Sequence, residues 1–389
     1  MAPFPGGLTR ARQVLSEVWG YGAFRPAQVR VLGPLLAGHS VLAVLPTGAG
    51  KSLCFQVPAL LGMGLTLVLS PLISLMQDQV GALRRRGVAA LYLNSTLARE
   101  QQAVVLESLR QRAVRILYCA PERLPSLVRR LRRWSVPISV LAVDEAHCIV
   151  EWGNEFRPIY RRLGIYRLLL GRPLTLALTG SATPATRREI LEVLRLDDAH
   201  VVVTSFDRPN LAFMVERATD DRDRFARIRS LIRATDGAAI VYTPTRRLAE
   251  LVTRALLRRS VRAAPYHAGL TAGVRRQVLF AFLRDRVRAV VATTAFGMGI
   301  DKPDVRRVLH WGPSRTLESY YQEAGRAGRD GAPAECRLLW RPADFDHGDV
   351  APAMRRYVES RTCRRRVLLE YFAERLDRCA GCDVCGMHH

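Results

Sequence analysis

Short apolar runs punctuate the chain at intervals that suit alternating strands and helices. Residues 41–45, 65–69, 89–93, 115–119, 138–143 and 174–178 are nearly free of polar side chains, and amphipathic stretches such as Leu97–Arg112 separate them. A run that is apolar on both faces reads as a strand buried in a parallel sheet. After Ser205-Phe206-Asp207-Arg208-Pro209-Asn210 the alternation restarts, with Gly237–Tyr242, Arg288–Ala292 and Val305–His310 as strands between Arg-rich helices. From about Asp344 the strands give way to two helices, Ala353–Ser360 and Arg364–Arg375, that lead into a cysteine cluster. The pattern predicts an α/β protein: two tandem parallel-sheet domains, 1–205 and 206–343, and a small helical module, 344–389.

Residues Leu53 to Gln77 carry no charge, which is long enough to span a bilayer. Gln56, Pro58, Gly62, Gly64 and Pro71 interrupt that stretch, and Leu65–Leu69 reads as a buried strand. The N-terminus lacks the apolar segment of a signal peptide. A soluble protein without a membrane partner is expected.

Charge narrows the class of partner. The net charge is +24, which implies a polyanion. A membrane surface and a codon bias toward Arg compete as explanations. Codon bias accounts for Arg over Lys but not for the excess of positive charge, and no amphipathic anchor is evident, so nucleic acid leads.

Of the 59 Lys and Arg residues, only Lys51 and Lys302 are lysines. Lys51 lies in Leu45-Pro46-Thr47-Gly48-Ala49-Gly50-Lys51-Ser52, between an apolar strand and a helix expected to start near Ser52. Strand, Gly-rich turn and helix N-terminus form a phosphate cradle, where backbone N–H groups face the anion. Lys51 would reach the terminal phosphates and the Ser52 hydroxyl would hold Mg²⁺. The strict pattern is not met, because Leu45 stands where the first glycine belongs. The run Val140–Val143 then ends in Asp144-Glu145-Ala146-His147, which suits a Mg²⁺-shell carboxylate (Asp144) followed by a carboxylate that orients the attacking water (Glu145). Together these predict a nucleoside triphosphatase.

The second domain contributes Gln322-Glu-Ala-Gly325-Arg326-Ala-Gly-Arg329. Arg326 and Arg329, on one helical face or in its C-terminal turn, are candidate arginine fingers, a device worth roughly 10³–10⁵ in rate. Near the C-terminus, Cys379-x-x-Cys382-x-x-Cys385 and the upstream Cys363 have the ligand count of a tetrahedral structural Zn²⁺ site. Cys54, Cys119, Cys148 and Cys336 read as buried thiols, and His388 and His389 as tail.

With these motifs in place, the chain resembles a superfamily 2 helicase, specifically the RecQ family, from about Leu15 to Cys385. The resemblance implies two RecA-like lobes and a zinc module. It implies that Tyr21 stacks on adenine while Arg25 and Gln28 contact it, with Thr47, Gly48, Gly50, Lys51 and Ser52 around the phosphates. Ser70-Pro71 and Ala120–Leu124 match backbone-contacting segments, and Thr179–Thr183 matches motif III, with Ser181 and Thr183. Cys148–Tyr160 resembles the aromatic-rich loop that senses single-stranded DNA; Trp152 and Phe156 would stack on bases, with Arg157 adding charge, and Ser70, His147, Ser181 and Thr183 are candidate DNA contacts as well. In the second lobe Tyr266–Leu270 and Ala295–Pro303 match motifs IVa and V, where Lys302 is either a phosphate contact or a surface lysine. Gln322, Arg326 and Arg329 fall in motif VI, with Arg329 the first choice as finger.

By function, the resemblance implies an ATP-dependent DNA helicase moving 3′ to 5′ on single-stranded DNA, unwinding duplex DNA in recombination and repair, with ATP, Mg²⁺ and Zn²⁺. Nucleotide and nucleic acid would bind across the cleft between lobes. The expected setting is the bacterial cytoplasm near the nucleoid, as a monomer, with a single-strand-binding protein or other repair proteins as partners. Family members commonly continue into a winged helix, whereas this chain ends four residues after Cys385, as a short member or a fragment. The alternative is a DNA-stimulated ATPase acting as a translocase, annealing or remodelling factor without efficient unwinding. An RNA helicase would leave the aromatic loop and the zinc cysteines unexplained.

Overall fold

The computed structural model describes residues 4, 6–46, 48–62, 64–153, 157–297, 302–346 and 348–386, without the side chain of Trp152. The chain forms two compact units, Met1–Ser205 and Phe206–His389.

In the first unit the strands are β1 (Val41–Val44), β2 (Leu65–Leu69), β3 (Ala90–Leu93), β4 (Ile116–Cys119), β5 (Ile138–Val143), β6 (Leu174–Thr179) and β7 (His200–Val203). They form one sheet in the order β3-β4-β2-β5-β6-β1-β7, and every pairing is parallel. Neighbouring residues of a strand feed opposite faces, as the two-residue repeat requires. Val41, Ala43 and Val68 join one core with Phe55, while Leu42, Leu67 and Leu69 join the other with Val143. Both faces are therefore covered by helices, which explains why these strands are apolar throughout. The uncharged stretch after Lys51 resolves into the helix Leu53–Leu61, β2 and the start of the helix Ile73–Arg84. No helix among the described residues is long and apolar enough to cross a membrane.

In the second unit the strands are β8 (Leu211–Arg217), β9 (Ala238–Tyr242), β10 (Ala263–Tyr266), β11 (Ala289–Ala292), β12 (Val305–Trp311) and β13 (Ala334–Trp340). Their order is β10-β11-β9-β12-β13-β8, again all parallel. Four strands in the molecule escape the sequence pattern, each for a physical reason. β7 is an edge strand whose first two residues are exposed. β10 is also an edge strand and holds Pro265, which has no N–H to give a ladder. β8 and β13 carry a charge ladder instead of a second apolar face: Arg337 pairs with both Glu216 and Glu335, Arg307 pairs with Glu335, and Arg227 reaches Glu216 at 3.1 Å. Alternating charge in place of an unbroken apolar run is what hides them.

Residues 344–386 pack within the second unit. The helices Pro352–Glu359 and Arg364–Tyr371 end a little before the expected bounds, the second followed by Ala373 at a φ of 61°. Asp344 ties this region to the sheet: its carboxylate accepts from Arg341 N–H at 2.8 Å and pairs with Arg224, whose side chain is 2% exposed. The Arg224 guanidinium also lies 5.9 Å from the Trp311 ring. Removing Asp344 leaves the buried Arg224 with the exposed Asp221, 3.6 Å away, as its carboxylate, so Asp344→Ala should cost about 3 kcal/mol, the low end for a broken buried pair. Chemical denaturation would show it beside Glu107→Ala, whose exposed pair with Arg110 should leave stability nearly unchanged.

Candidate active site and zinc centre

Parallel strands deliver their C-terminal ends to one edge, and in the first unit that edge gathers the motif residues. Backbone bonds show the alignment: Asp144 N–H donates to Leu69 O at 2.9 Å, Ser70 N–H to Cys119 O at 3.2 Å, Leu45 N–H to Thr179 O at 3.0 Å and Ala146 N–H to Leu178 O at 2.8 Å. The phosphate loop after β1, the carboxylates after β5 and the Thr179 segment after β6 are thus neighbours.

The loop is braced from outside. Gln28, buried, accepts from Arg25 N–H at 2.9 Å and donates to Gly50 O at 3.0 Å, and Arg25 donates to Gly48 O. Gly50 sits at a φ of 75°, and a Cβ there would lie 2.5 Å from Gln28 Nε2, so only glycine fits. Lys51 folds back onto its own loop, donating to Leu45 O at 3.2 Å. Ser52 opens the helix Leu53–Leu61 with its hydroxyl uncommitted to capping. Tyr21 is exposed, as a side chain waiting for a flat partner would be.

Asp144 is buried at the end of β5, and burial, with the neighbouring Glu145 carboxylate, pushes its pKa up to about 7 against the pull of Lys51. Glu145 N–H donates to the Asp144 carboxylate at 3.1 Å, with the Lys51 ammonium nearby. A divalent cation fits this need, and a Mg²⁺ shell on Asp144 and Ser52 suits the donor set. Glu145 has a φ of 50°, a left-handed conformation that costs a side-chain-bearing residue roughly 1–2 kcal/mol. That backbone reversal turns its carboxylate toward His147, whose Nδ1 lies 3.4 Å from Glu145 Oε2 and 3.0 Å from Thr179 Oγ1. Thr179 Oγ1 donates on to Ser181 O at 3.0 Å. His147, buried, therefore links the Glu145 carboxylate to the Thr179–Thr183 segment from inside the protein.

The candidate nucleic-acid residues fall in mixed positions. Arg157 is anchored among the backbone-contacting segments, donating to Pro71 O at 3.3 Å and pairing with Glu122 at 3.3 Å. Ser70 and Ser181 are buried, and Thr183 caps the helix Pro184–Leu194 by accepting from Thr186 N–H at 3.2 Å. Thr47, the Trp152 side chain, Phe156, the stretch 298–301, His388 and His389 lie outside the described residues. Gln56, which the motifs did not single out, joins the loop helix to the next segment through Gln79 at 2.8 Å and Tyr118 at 3.0 Å.

Lys302 is neither a phosphate contact nor a surface lysine here. It is 4% exposed, and its ammonium pairs with Asp285 at 2.8 Å and Asp304 at 2.9 Å. Burial works against its charge, but the two carboxylates more than offset that and hold its pKa above the usual value.

In the second unit Gln322 lies on the helix Leu317–Ala324, while Arg326 and Arg329 follow it in the turn rather than on its face. Arg326 is buried against Gly297 and beside the Tyr242 hydroxyl, which donates to Phe296 O at 2.6 Å. Burial raises the Tyr242 pKa to about 12, so the phenol keeps its proton for that bond. Motifs V and VI thus meet through Tyr242.

The four cysteines Cys363, Cys379, Cys382 and Cys385 converge, their sulfurs all within 4.8 Å of one another. Four thiolates at about 2.3 Å from one Zn²⁺ stand about 3.8 Å apart, so a small inward movement completes the tetrahedron. The Cys382 sulfur accepts from Cys385 N–H at 3.3 Å. Burial raises its pKa, but the backbone N–H groups around it win and bring it down to about 7. Burial raises the pKa of Cys379 and, with the neighbouring sulfurs, pushes that of Cys385 up to about 12, so these two thiols need a cation's charge to ionise; the four-sulfur donor set fits zinc.

Family models match most of the chain in succession: DEAD/DEAH box helicase at residues 25–193, helicase conserved C-terminal domain at 223–331 and RecQ zinc-binding at 348–386. The ATP-dependent DNA helicase RecQ of Synechocystis is 43% identical over 87% of this chain and 72% of its own length. The chain belongs to the RecQ family of superfamily 2 helicases. Another family member, RecQ of Haemophilus influenzae, is 41% identical over 96% of this chain, which spans 63% of that relative's length. Solved structures share the fold at lower identity: Mycobacterium smegmatis Lhr bound to single-stranded DNA and AMP-PNP (22% identity, TM-score 0.68, covering 87% of this chain and 48% of that one), and Saccharomyces cerevisiae Dbp5 bound to RNA (15%, 0.70, 94% and 93%).

Two measurements check these placements. Lys302→Ala should lower stability by about 1–3 kcal/mol, less than loss of a fully buried pair, because Asp285 and Asp304 are themselves exposed and keep their hydration. It should leave the salt dependence of DNA binding unchanged, where loss of a phosphate contact would reduce the slope by about one. Cys382→Ser should lower bound zinc, measured by metal analysis, and depress the thermal midpoint of the second unit.

Proposed function

We propose that this RecQ-family chain is an ATP-dependent DNA helicase that translocates 3′ to 5′ on single-stranded DNA and separates duplex strands. The observation that carries the reading is the convergence of the phosphate loop, Asp144 and Glu145 on one sheet edge, in a chain 41% identical to RecQ helicases. Tyr21, Arg25 and Gln28 take the adenine; Gly48, Gly50 and Lys51 take the phosphates. Ser52 and Asp144 would hold Mg²⁺, which would supply positive charge against the transferring phosphoryl group. Glu145, set by its backbone reversal and His147, orients the attacking water and accepts its proton. Arg326 and Arg329 neutralise charge as the phosphoryl group transfers, and Gln322 helps to orient the water.

DNA lies along Arg157 and Thr183, over the segments that the buried Ser70 and Ser181 shape, with Trp152 and Phe156 stacking on bases, so that strand contact reports to Glu145 through the short connection from His147. A net charge of +24 supports a phosphate-rich partner whose binding weakens steeply with salt. The zinc centre holds the C-terminal segment as structure rather than chemistry. The proposed setting is the cytoplasm, near the nucleoid, where the protein works as a monomer beside a single-strand-binding protein or other repair proteins.

Strand displacement on a 3′-tailed duplex, with ATP and Mg²⁺, tests the reading beside Lys51→Ala. Displacement by the wild type is expected, with Lys51→Ala losing at least about 10²-fold in turnover, the order of a lost electrostatic stabiliser, while still binding DNA. ATPase stimulated by single-stranded DNA without displacement would replace unwinding with translocation or remodelling. No DNA-stimulated hydrolysis at all would overturn the proposal.

A further inference from the structure

The turn that carries Arg326 and Arg329 has little regular structure of its own, yet its carbonyls are unusually well occupied. Arg208 donates to Gly325 O at 3.3 Å, Ala327 O at 3.1 Å and Gly328 O at 2.9 Å. Asn210 Nδ2 donates to Gly328 O at 2.8 Å and Ala332 O at 3.0 Å. Two side chains from one short segment thus grip the backbone on both sides of the two arginines. The fit is close: Gly328 has a φ of 53°, and a Cβ there would stand 2.4 Å from Asn210 Nδ2. A guanidinium suits the task because its planar fork spans several acceptors at once, and because a cation is favoured beside a helix C-terminus.

Segment 206–210 is itself irregular, so something must hold it, and residues of the zinc module do. Arg365 is 1% exposed and donates to Asp207, to Arg208 O at 2.9 Å and to Leu211 O. Phe206 stacks face to face on Phe372, ring centres 4.4 Å apart, and Tyr321 of the helix before the turn donates to Phe206 O at 2.9 Å. Arg365 lies on the helix that Cys363 caps, next to Arg364, which grips Asp383 between two zinc cysteines at 3.0 and 3.1 Å. The contacts run from thiolate cluster to helix, from helix to segment 206–211, and from that segment to the turn.

We propose that Arg208 and Asn210 are positioning residues for the arginine turn, and that Arg365 of the zinc module holds them in register. The zinc centre then sets the aim of the second unit's arginines as well as the stability of its own loop. The catalytic consequence rests on the ATPase reading above; the brace itself does not.

Hydrogen–deuterium exchange on the zinc-loaded full chain, beside ATPase kinetics, tests this. The amides of 325–328 all donate to backbone carbonyls, including Gly328 N–H to Val305 O at 2.9 Å, so loosening is readable. Arg208→Lys keeps the charge and loses the fork, and Asn210→Asp removes the donor. Each should speed exchange across 325–332 about tenfold, the signature of local opening. Each should lower kcat about 10- to 100-fold with KM for ATP held within about twofold, as expected when only transition-state geometry suffers. Arg365→Lys should loosen 206–211 and 325–332 together while zinc content stays at the wild-type value. Unchanged exchange of 325–332 in both Arg208→Lys and Asn210→Asp overturns the brace, and an Arg365→Lys effect confined to its own helix overturns the zinc link. A wild-type chain without ATP turnover would remove the proposed function while the exchange readout still decides the brace.

Discussion

Every strand in both sheets pairs in parallel, and that constraint organises all else in the molecule. Parallel pairing puts each strand's C-terminal end on one rim, so loops far apart in sequence must meet there. The phosphate loop and the Asp144 carboxylate lie some ninety residues apart and become neighbours because β1, β6 and β5 are adjacent. The same geometry forces a long crossover after each strand, and the helices in those crossovers cover both faces. Burial on both faces then selects apolar strands, which is why the fold left so plain a trace in the chain.

The site works by keeping polar groups buried or under strain at that rim. Asp144 is buried beside the Glu145 N–H and the Lys51 ammonium, and Glu145 adopts a left-handed backbone that a side chain resists. A metal and a nucleotide supply what such a site lacks. Around it the protein uses its well-satisfied polar groups for positioning: Gln28 on the loop, His147 between Glu145 and Thr179, Arg157 between two backbone-contacting segments. Residues that a motif would label as ligand contacts are, in the folded chain, also tied to the protein around them.

The second unit makes the same use of arginine. Arg224, Arg364 and Arg365 are nearly inaccessible and each binds a carboxylate or several carbonyls. A composition dominated by Arg thus contains two populations, one facing solvent and one that serves as multidentate internal ties. Net charge speaks only to the first of these.

The sequence alone determined what is written locally. Apolar runs marked most strands to within a residue or two, the Gly-rich loop and the Asp-Glu pair named the chemistry, and the Cys-x-x-Cys-x-x-Cys spacing named the metal. Such features depend on periodicity or on neighbours a few positions away, so no partner is needed to read them. Tertiary structure decided the rest. Lys302 looked like a phosphate contact until Asp285 and Asp304 closed on it, and Arg208 looked like part of a boundary until three carbonyls of a turn more than a hundred residues later met its guanidinium. β8 and β13 stayed hidden because charges alternate with apolar residues along them, and part of that charged face is satisfied across strands distant in sequence, as Glu216 and Arg337 are. The role of a charged side chain is set by what the fold brings to it, and strand order, which no local pattern records, does the bringing.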